Sequence, residues 1–139
     1  MTDEHPARAA SKRSMSAAER KAREEWLALF ADDAVIEDPV GPGPYDAEGK
    51  GQRGKEAISA FWDNAIAPNT IKFDIRDSFA CADEVANVGT INLSFPNGGT
   101  AKCDGVFVYR VNKEGKIVSL RAFWEIDRMM KTVKMPSSS

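Results

Sequence analysis

Apolar residues in the first part of the chain recur at spacings of three and four. They lie within the Ala-, Glu-, Arg- and Lys-rich stretch 6–30 and are Met15, Ala18, Ala22, Trp26, Leu29 and Phe30. This spacing indicates one buried helical face. Ser16-Ala-Ala-Glu19 has the form of a capping box, so a second helix is expected to begin there, after a first helix over about 6–14.

The next segment combines a short strand, a loop and a helix. Ala34–Pro39 reads as a strand that proline ends. The stretch Gly41–Gly51 is a long loop rich in glycine and proline, a class of segment that is often a lid or disordered. Gly54–Ile66 is predicted to be helical, and the apolar residues on one side of this helix are Ile58, Phe61, Trp62 and Ile66.

After Pro68 the pattern becomes that of strands. Four long strands are predicted, over residues 71–79, 85–95, 101–111 and 117–126, with hairpin-type turns at Asn97–Gly99 and Asn112–Gly115. Helices followed by an antiparallel meander indicate an α+β fold with the helices on one face of the sheet. Strands of about ten residues are long for a small domain and suggest a strongly bent sheet. We expect one domain over 1–139, with an ordered core over about 6–130 and frayed ends at 1–5 and 135–139.

Composition excludes several function classes. The 139 residues are 42% apolar and carry a net charge of -2 without a basic stripe, which argues against nucleic-acid binding. No run approaches the ~18 apolar residues of a membrane span, and the first residues lack the apolar stretch of a signal peptide, so a cytoplasmic protein is expected. The sequence has a single histidine, His5, and two separated cysteines, Cys81 and Cys103, which argues against a dedicated zinc or iron site.

Asp38 is the first candidate for chemistry. Side chains alternate along a strand, so Ile36 and Asp38 share one face while Val35 and Glu37 share the other. If Ile36 faces the interior, Asp38 does too, and a buried carboxylate must be hydrogen-bonded or titrate upward. The alternative is an exposed, inert turn aspartate ahead of proline.

The strand 101–111 has two distinct faces. Cys103, Phe107 and Tyr109 share the apolar face, and Asp104 and Arg110 lie on the opposite one. The following strand carries its own apolar face of Leu120, Ala122, Trp124 and Ile126. Such aromatic-rich faces form either ordinary core or the wall of a ligand pocket.

Three blocks of this sequence resemble the ketosteroid isomerases and their relatives. The blocks are Leu27–Gly41, Gly54–Trp62 and Gly115–Trp124, in the family's order, and the resemblance covers roughly residues 14–127. The ketosteroid isomerases belong to the NTF2-like (cystatin-like) superfamily, which includes the SnoaL-like cyclases. The stretch Val106–Asn112 is most similar to mycobacterial and related actinobacterial members.

The resemblance implies a fold and an activity. The fold is a cone in which three helices pack on a strongly curved, mixed, mainly antiparallel sheet that encloses a pocket. Such proteins are usually homodimers that pair through the outer sheet face. Asp38 matches the general base, which takes a proton from the carbon next to a ketone and returns it two carbons away. A steroid or similar flat apolar ketone is the implied ligand, and no metal or cofactor is needed.

The residues that stabilise the enolate oxygen in the family are replaced here. Counting from the matching blocks places Phe107 where the family has an aspartic acid donor and Ser14 where it has a tyrosine. Losing one such donor typically lowers the rate about 10²–10³-fold, so a slow isomerase is expected. Tyr109 shares the face of Phe107 and offers another hydroxyl. Trp62 and Trp124 match pocket positions and are expected to line the pocket, although both could equally be core.

Three other functions remain open. The pocket could belong to a non-catalytic binder of steroid-like molecules, because Phe107 cannot donate a hydrogen bond. The protein could be a different SnoaL-like enzyme, such as an epoxide hydrolase or polyketide cyclase, and the resemblance implies an Asp-Arg-Asp set in the pocket of a water-activating hydrolase. Residue parity instead places Asp104, Arg110 and Arg121 on the outer face. A protein-interaction module would need a large exposed apolar patch.

Overall fold

The computed structural model describes residues 4–136. Of the ends expected to be frayed, residues 1–3 and 137–139 lie outside the described part. His5 was assigned to the N-terminal tail, but it caps the first helix, because its Nδ1 accepts a hydrogen bond from the backbone N–H of Ala7 at 3.1 Å. The C-terminal segment is also paired, since Lys134 forms a β-bridge with Thr100.

Three helices precede the long strands, as predicted, and a fourth follows them. Helix α1 spans Pro6–Arg20, α2 spans Arg23–Ala28 and α3 spans Gly54–Phe61, continuing as one π-helical turn over Trp62–Ile66. The last strand was expected to reach Ile126, but it ends at Trp124, and helix α4 spans Ile126–Met130. Proline at the first position of α1 suits a helix start, because the N–H that it lacks has no partner there.

The predicted helix start at Ser16 is wrong, because α1 runs through it without a break. Ser16 accepts a hydrogen bond from Arg20 within the helix, at 3.0 Å. The carboxylate of Glu19 accepts a hydrogen bond from the backbone N–H of Phe73 at 2.8 Å, which ties α1 to the sheet. Helix α1 ends instead at Lys21, whose left-handed backbone (φ 60°) directs its N–H back to the carbonyls of Ala17 and Ala18.

The six strands form one mixed sheet in the order β2-β1-β6-β5-β4-β3. The strands are β1 (Phe30–Glu37), β2 (Gln52–Arg53), β3 (Thr70–Cys81), β4 (Glu84–Ser94), β5 (Thr100–Val111) and β6 (Ile117–Trp124). Strands β1 and β6 run parallel, and every other neighbouring pair is antiparallel. The predicted α+β class with a mixed, mainly antiparallel sheet is therefore confirmed.

Two glycines mark the line along which the sheet bends. Gly89 of β4 is in register with Gly105 of β5, and β3 has a bulge beside them between Ile75 and Asp77. A Cβ atom on Gly105 would lie 2.1 Å from the carbonyl oxygen of Phe123. Only glycine permits this close approach of neighbouring strands, and bulges increase the local bend. The sheet consequently curves, and its concave face holds the core between itself and α1, α2 and α3.

In the described chain, no helix is both long and apolar enough to span a membrane. Cys81 is exposed and Cys103 is buried, and both are free thiols.

Candidate functional site

A cavity lies between the helices and the concave face of the sheet. Its volume is about 170 Å³, and its lining is mostly aromatic and aliphatic, including Trp26, Phe61, Phe73, Phe95, Phe107, Leu120 and Met129. The side chains at its closed end, among them Ser14 and Tyr109, are almost wholly buried. Pro44 and Tyr45 are exposed and lie at its mouth. An apolar cavity with few polar groups is the usual form of a small-molecule site.

Asp38 lines this cavity, just beyond the end of β1. Ile36, two residues earlier, is completely buried, so the predicted alternation places both side chains on the inner side. The carboxylate accepts a hydrogen bond from the indole N–H of Trp124 at 2.6 Å. Asp38 is half-buried as a whole residue, and protein atoms surround its carboxyl group. This burial raises the pKa of Asp38, and the Trp124 hydrogen bond opposes the rise.

Strand β5 contributes Cys103, Phe107 and Tyr109 to the same cavity, as the alternation predicted. Phe107 is 2% exposed and offers no hydrogen-bond donor. The hydroxyl of Tyr109 lies 3.5 Å from the hydroxyl of Ser14 on α1. Burial raises the pKa of Tyr109, so this phenol stays protonated at neutral pH. Helix α1 and β5 thus place two hydroxyls at the closed end of the cavity.

Trp62 does not line the cavity, contrary to the prediction, although Trp124 does. Trp62 is 2% exposed and packs against Trp26, with ring centroids 5.0 Å apart. The Trp26 ring lies on the cavity side of Trp62 and forms part of the cavity wall. Both tryptophans lie on the buried helical faces that the spacing indicated. Which of them reaches the cavity depends on how α2 packs against α3, and the sequence pattern carries no signal for that.

The charged candidates lie on the outer face, as their parity predicted. Asp104 accepts a hydrogen bond from Thr90 at 2.5 Å. Arg110 pairs with Asp83 at 3.0 Å, and Arg121 pairs with Glu37 at 3.3 Å. No arginine is among the residues that line the described cavity. The residues 4–136 also contain no cluster of three His, Cys, Asp or Glu side chains that could hold a metal ion.

Comparison with known proteins matches this geometry to a family. Residues 12–120 match the family described as the SnoaL-like domain. The chain belongs to this family. This match and the similarity to the mycobacterial structures described next confirm the predicted NTF2-like fold and the predicted resemblance to ketosteroid isomerase-like proteins.

Three solved proteins illustrate the similarity of this SnoaL-like domain to known structures. Rv0760c from Mycobacterium tuberculosis is 38% identical with a TM-score of 0.89, over 98% of this chain and 100% of that chain. Its complex with estradiol-17beta-hemisuccinate is 39% identical with a TM-score of 0.86, over 95% and 100%. The Delta 5-3-ketosteroid isomerase from Mycobacterium sp. is 38% identical with a TM-score of 0.86, over 96% and 100%. A computationally designed 17-OHP binder is 37% identical with a TM-score of 0.87, over 96% and 100%.

The loop 41–51 of this SnoaL-like domain forms the mouth of the cavity, a role that the sequence left open. Asp46 organises the loop, since its carboxylate accepts hydrogen bonds from the backbone N–H groups of Lys50 (3.1 Å) and Gly51 (2.7 Å). The Tyr45 ring packs edge-on against Phe61 of α3, with centroids 6.1 Å apart. Tyr45 was not among the predicted site residues, because a glycine- and proline-rich loop has no periodicity from which orientation can be inferred.

Proposed function

We propose that this chain binds a steroid or a similarly flat apolar ketone in the cavity and slowly shifts its double bond by intramolecular proton transfer. Asp38 is the general base in this proposal. The observation that carries it is a single carboxylate enclosed by an apolar cavity and held by one N–H donor, that of Trp124. Its similarity to a ketosteroid isomerase and to proteins described with steroid ligands supports the ligand class.

The environment of Asp38 suits a base for a carbon acid. Burial raises its pKa, so the carboxylate is a stronger base than one in water. Asp38 removes a proton from the carbon beside the carbonyl, and the electron pair moves onto the carbonyl oxygen. The same carboxyl group then returns the proton two carbons away, and the double bond becomes conjugated. The reaction needs no other reactant, and we expect it to be slow because Phe107 supplies no donor to the oxygen.

The size of the cavity limits how the ligand sits. A volume of about 170 Å³ is smaller than the ~300–1,000 Å³ of pockets that enclose drug-sized molecules. A four-ring ligand therefore extends past Pro44 and Tyr45 at the mouth, or displaces them, while its first ring occupies the closed end.

Conversion of a Δ5-3-ketosteroid to its conjugated Δ4 isomer tests the proposal, followed by ultraviolet absorbance. Asp38→Asn should abolish the conversion, because the amide cannot accept the proton. Glu37→Gln is the matched control, since Glu37 is the adjacent carboxylate but pairs with Arg121 on the outer face. The control should retain the wild-type rate. A wild-type protein without turnover, or an active Asp38→Asn variant, would exclude the isomerase.

The second candidate is a steroid-binding protein without turnover, which Phe107 favours because it fills the cavity wall without a polar group. This function predicts that a Δ5-3-ketosteroid raises the melting temperature of both wild type and Asp38→Asn while no product forms. The hydrolase and cyclase alternatives are less favoured, because the cavity lining in the described chain contains one carboxylate and no arginine.

We also propose a homodimer that pairs through the outer sheet face. Apolar side chains cluster there across four strands, namely Phe79, Ala86, Val88, Val106, Val108 and Phe123. Phe79 is 60% exposed and Phe123 is 43% exposed, and contiguous exposed apolar residues are typical of interaction surfaces. Sedimentation velocity should show a dimer for the wild type and a monomer for Val108→Asp. A monomeric wild type would refute the pairing.

A further inference from the structure

The two hydroxyls at the closed end of the cavity are poorly hydrogen-bonded. Ser14 is 2% exposed and Tyr109 is 3% exposed. Their oxygens lie 3.5 Å apart, whereas an O–H···O hydrogen bond normally spans about 2.5–3.0 Å. Within residues 4–136 neither hydroxyl makes a second side-chain hydrogen bond. Buried hydroxyls in folded proteins normally have a good partner, so this pair is suited to an acceptor that the ligand supplies.

Both hydroxyls are available as donors. Burial raises the pKa of Tyr109, and the negative charge of Asp38 raises it further, so the phenol keeps its proton throughout the neutral range. A serine hydroxyl also keeps its proton in this range. A ligand oxygen atom that carries partial or full negative charge is a suitable acceptor for both hydroxyls.

The sheet register places Tyr109 and Asp38 on the same concave face of the sheet, two strands apart. Ile36 of β1 is in register with Leu120 of β6, which is in register with Tyr109 of β5. Asp38 is thus two strands away from Tyr109, about 10 Å, and two residues further along the strand direction, about 7 Å. Both side chains point into the cavity between these strands. A ligand ring between them can present its carbonyl oxygen to the hydroxyls and neighbouring carbons to the carboxylate.

We propose that the hydroxyls of Tyr109 and Ser14 bind the carbonyl oxygen of the ligand and stabilise the negative charge that develops on it. The assignment rests on the proposed function and names the hydrogen-bond donors to the ligand oxygen that Phe107 does not supply. When Asp38 removes the proton, the electron pair of the C–H bond forms a new C=C bond and the π pair of the C=O bond moves onto the oxygen, giving a dienolate. The oxygen accepts hydrogen bonds from Tyr109 and Ser14 without taking their protons. When the second carbon takes the proton back from Asp38, the electron pair on the oxygen forms the C=O bond again.

Three variants test the assignment by turnover. Tyr109→Phe removes only the hydroxyl and should lower kcat about 10²–10³-fold with little change in KM, because the bond is strongest to the charged oxygen. Ser14→Ala should lower kcat less. Ser11→Ala is the matched control, because Ser11 is equally buried on α1 but donates to the carbonyl of Arg8 away from the cavity. Wild-type kcat in Tyr109→Phe, with Asp38→Asn inactive, would overturn the assignment and leave the isomerase intact.

A binding experiment keeps the assignment testable if the wild type does not turn over. Estradiol carries a phenolic oxygen on a planar ring and mimics the dienolate, and its 3-deoxy analogue lacks that oxygen. Tyr109→Phe should weaken estradiol binding at least tenfold and leave binding of the analogue unchanged, measured by titration calorimetry. Equal loss for both ligands would mean that the phenol only shapes the cavity, and would overturn the assignment. If Tyr109→Phe weakens binding of estradiol but not of its analogue, and the wild type shows no turnover, the hydroxyl site is supported and only the isomerase activity is rejected.

Discussion

Replacing Trp124 by phenylalanine isolates the hydrogen bond that controls the proposed base. The indole N–H donates to Asp38 at 2.6 Å, and phenylalanine keeps an aromatic ring while removing that donor. The bond favours the ionised carboxylate and opposes the effect of burial on its pKa. Without this hydrogen bond only burial acts on Asp38, so its pKa rises. The ionised carboxylate, which is the base, is then protonated at a higher pH.

The size of this effect follows from the type of bond. A hydrogen bond to a charged group contributes about 1.5–3 kcal/mol, and a pKa unit corresponds to about 1.4 kcal/mol. The acidic midpoint of the kcat/KM profile for a Δ5-3-ketosteroid should therefore move up by about one to two pH units. Carboxyl ¹³C NMR titration of Asp38 measures the same midpoint without turnover.

Trp62→Phe is the matched control for this experiment. This variant loses the same indole N–H, but the Trp62 ring packs on Trp26 outside the cavity lining, and the indole that donates to Asp38 is that of Trp124. This variant should be less stable to urea, because a buried side chain becomes smaller, while its midpoint stays at the wild-type pH. An unchanged or lowered midpoint in Trp124→Phe would refute the role of the indole.

Two predictions concern stability. Burial raises the pKa of Asp38 in the folded state above its ordinary 3.8, so the folded state favours the neutral acid. The contribution of this carboxyl group to folding stability is fully present below pH 3.8 and is lost as the pH rises through the folded-state pKa. Asp38→Asn should thus be more stable than wild type at pH 8 but not at pH 3.5, measured by urea unfolding at both pH values; an advantage of equal size at both would contradict the buried charge. Gly105→Ala should lose about 1–3 kcal/mol or more, because its Cβ would lie 2.1 Å from the Phe123 carbonyl oxygen. Gly115→Ala, with nothing within 4 Å of its Cβ but φ +80°, should lose only about 1 kcal/mol in the same assay.

The inward-facing strand residues could be predicted because strand alternation is a local property. Ile36 and Asp38 differ by two residues, so the burial of one determined the side of the other. The same parity placed Phe107 and Tyr109 in the cavity and Asp104 outside it. These assignments require only that the segment is a strand, and apolar runs between turn signals predict the strands from local sequence.

Features that depend on contacts between distant elements could not be predicted in the same way. The Ser16–Glu19 pattern suits a helix start, but Glu19 instead accepts a hydrogen bond from Phe73 on β3, and local sequence contains no trace of that partner. Helix α4 and the pairing of Lys134 with Thr100 likewise depend on strand β5, which receives them. Tyr45 reaches the cavity only because the Asp46-centred turn holds its loop against Phe61.

The geometry of β5 explains why Tyr109 is the position at which a donor can replace the one that Phe107 lacks. A change of one residue along a strand moves a side chain to the outer face, whereas a change of two keeps it in the cavity about 7 Å away. The remaining inward positions on this strand are Ala101, Cys103, Gly105 and Val111, and of these only Cys103 carries a polar group. Burial raises the pKa of the Cys103 thiol to about 12, so it stays a neutral S–H, which is a weak donor. Tyr109 is therefore the one inward position of β5 with a strong O–H donor, and Ser14 is small enough at the facing position of α1 to leave room for its ring.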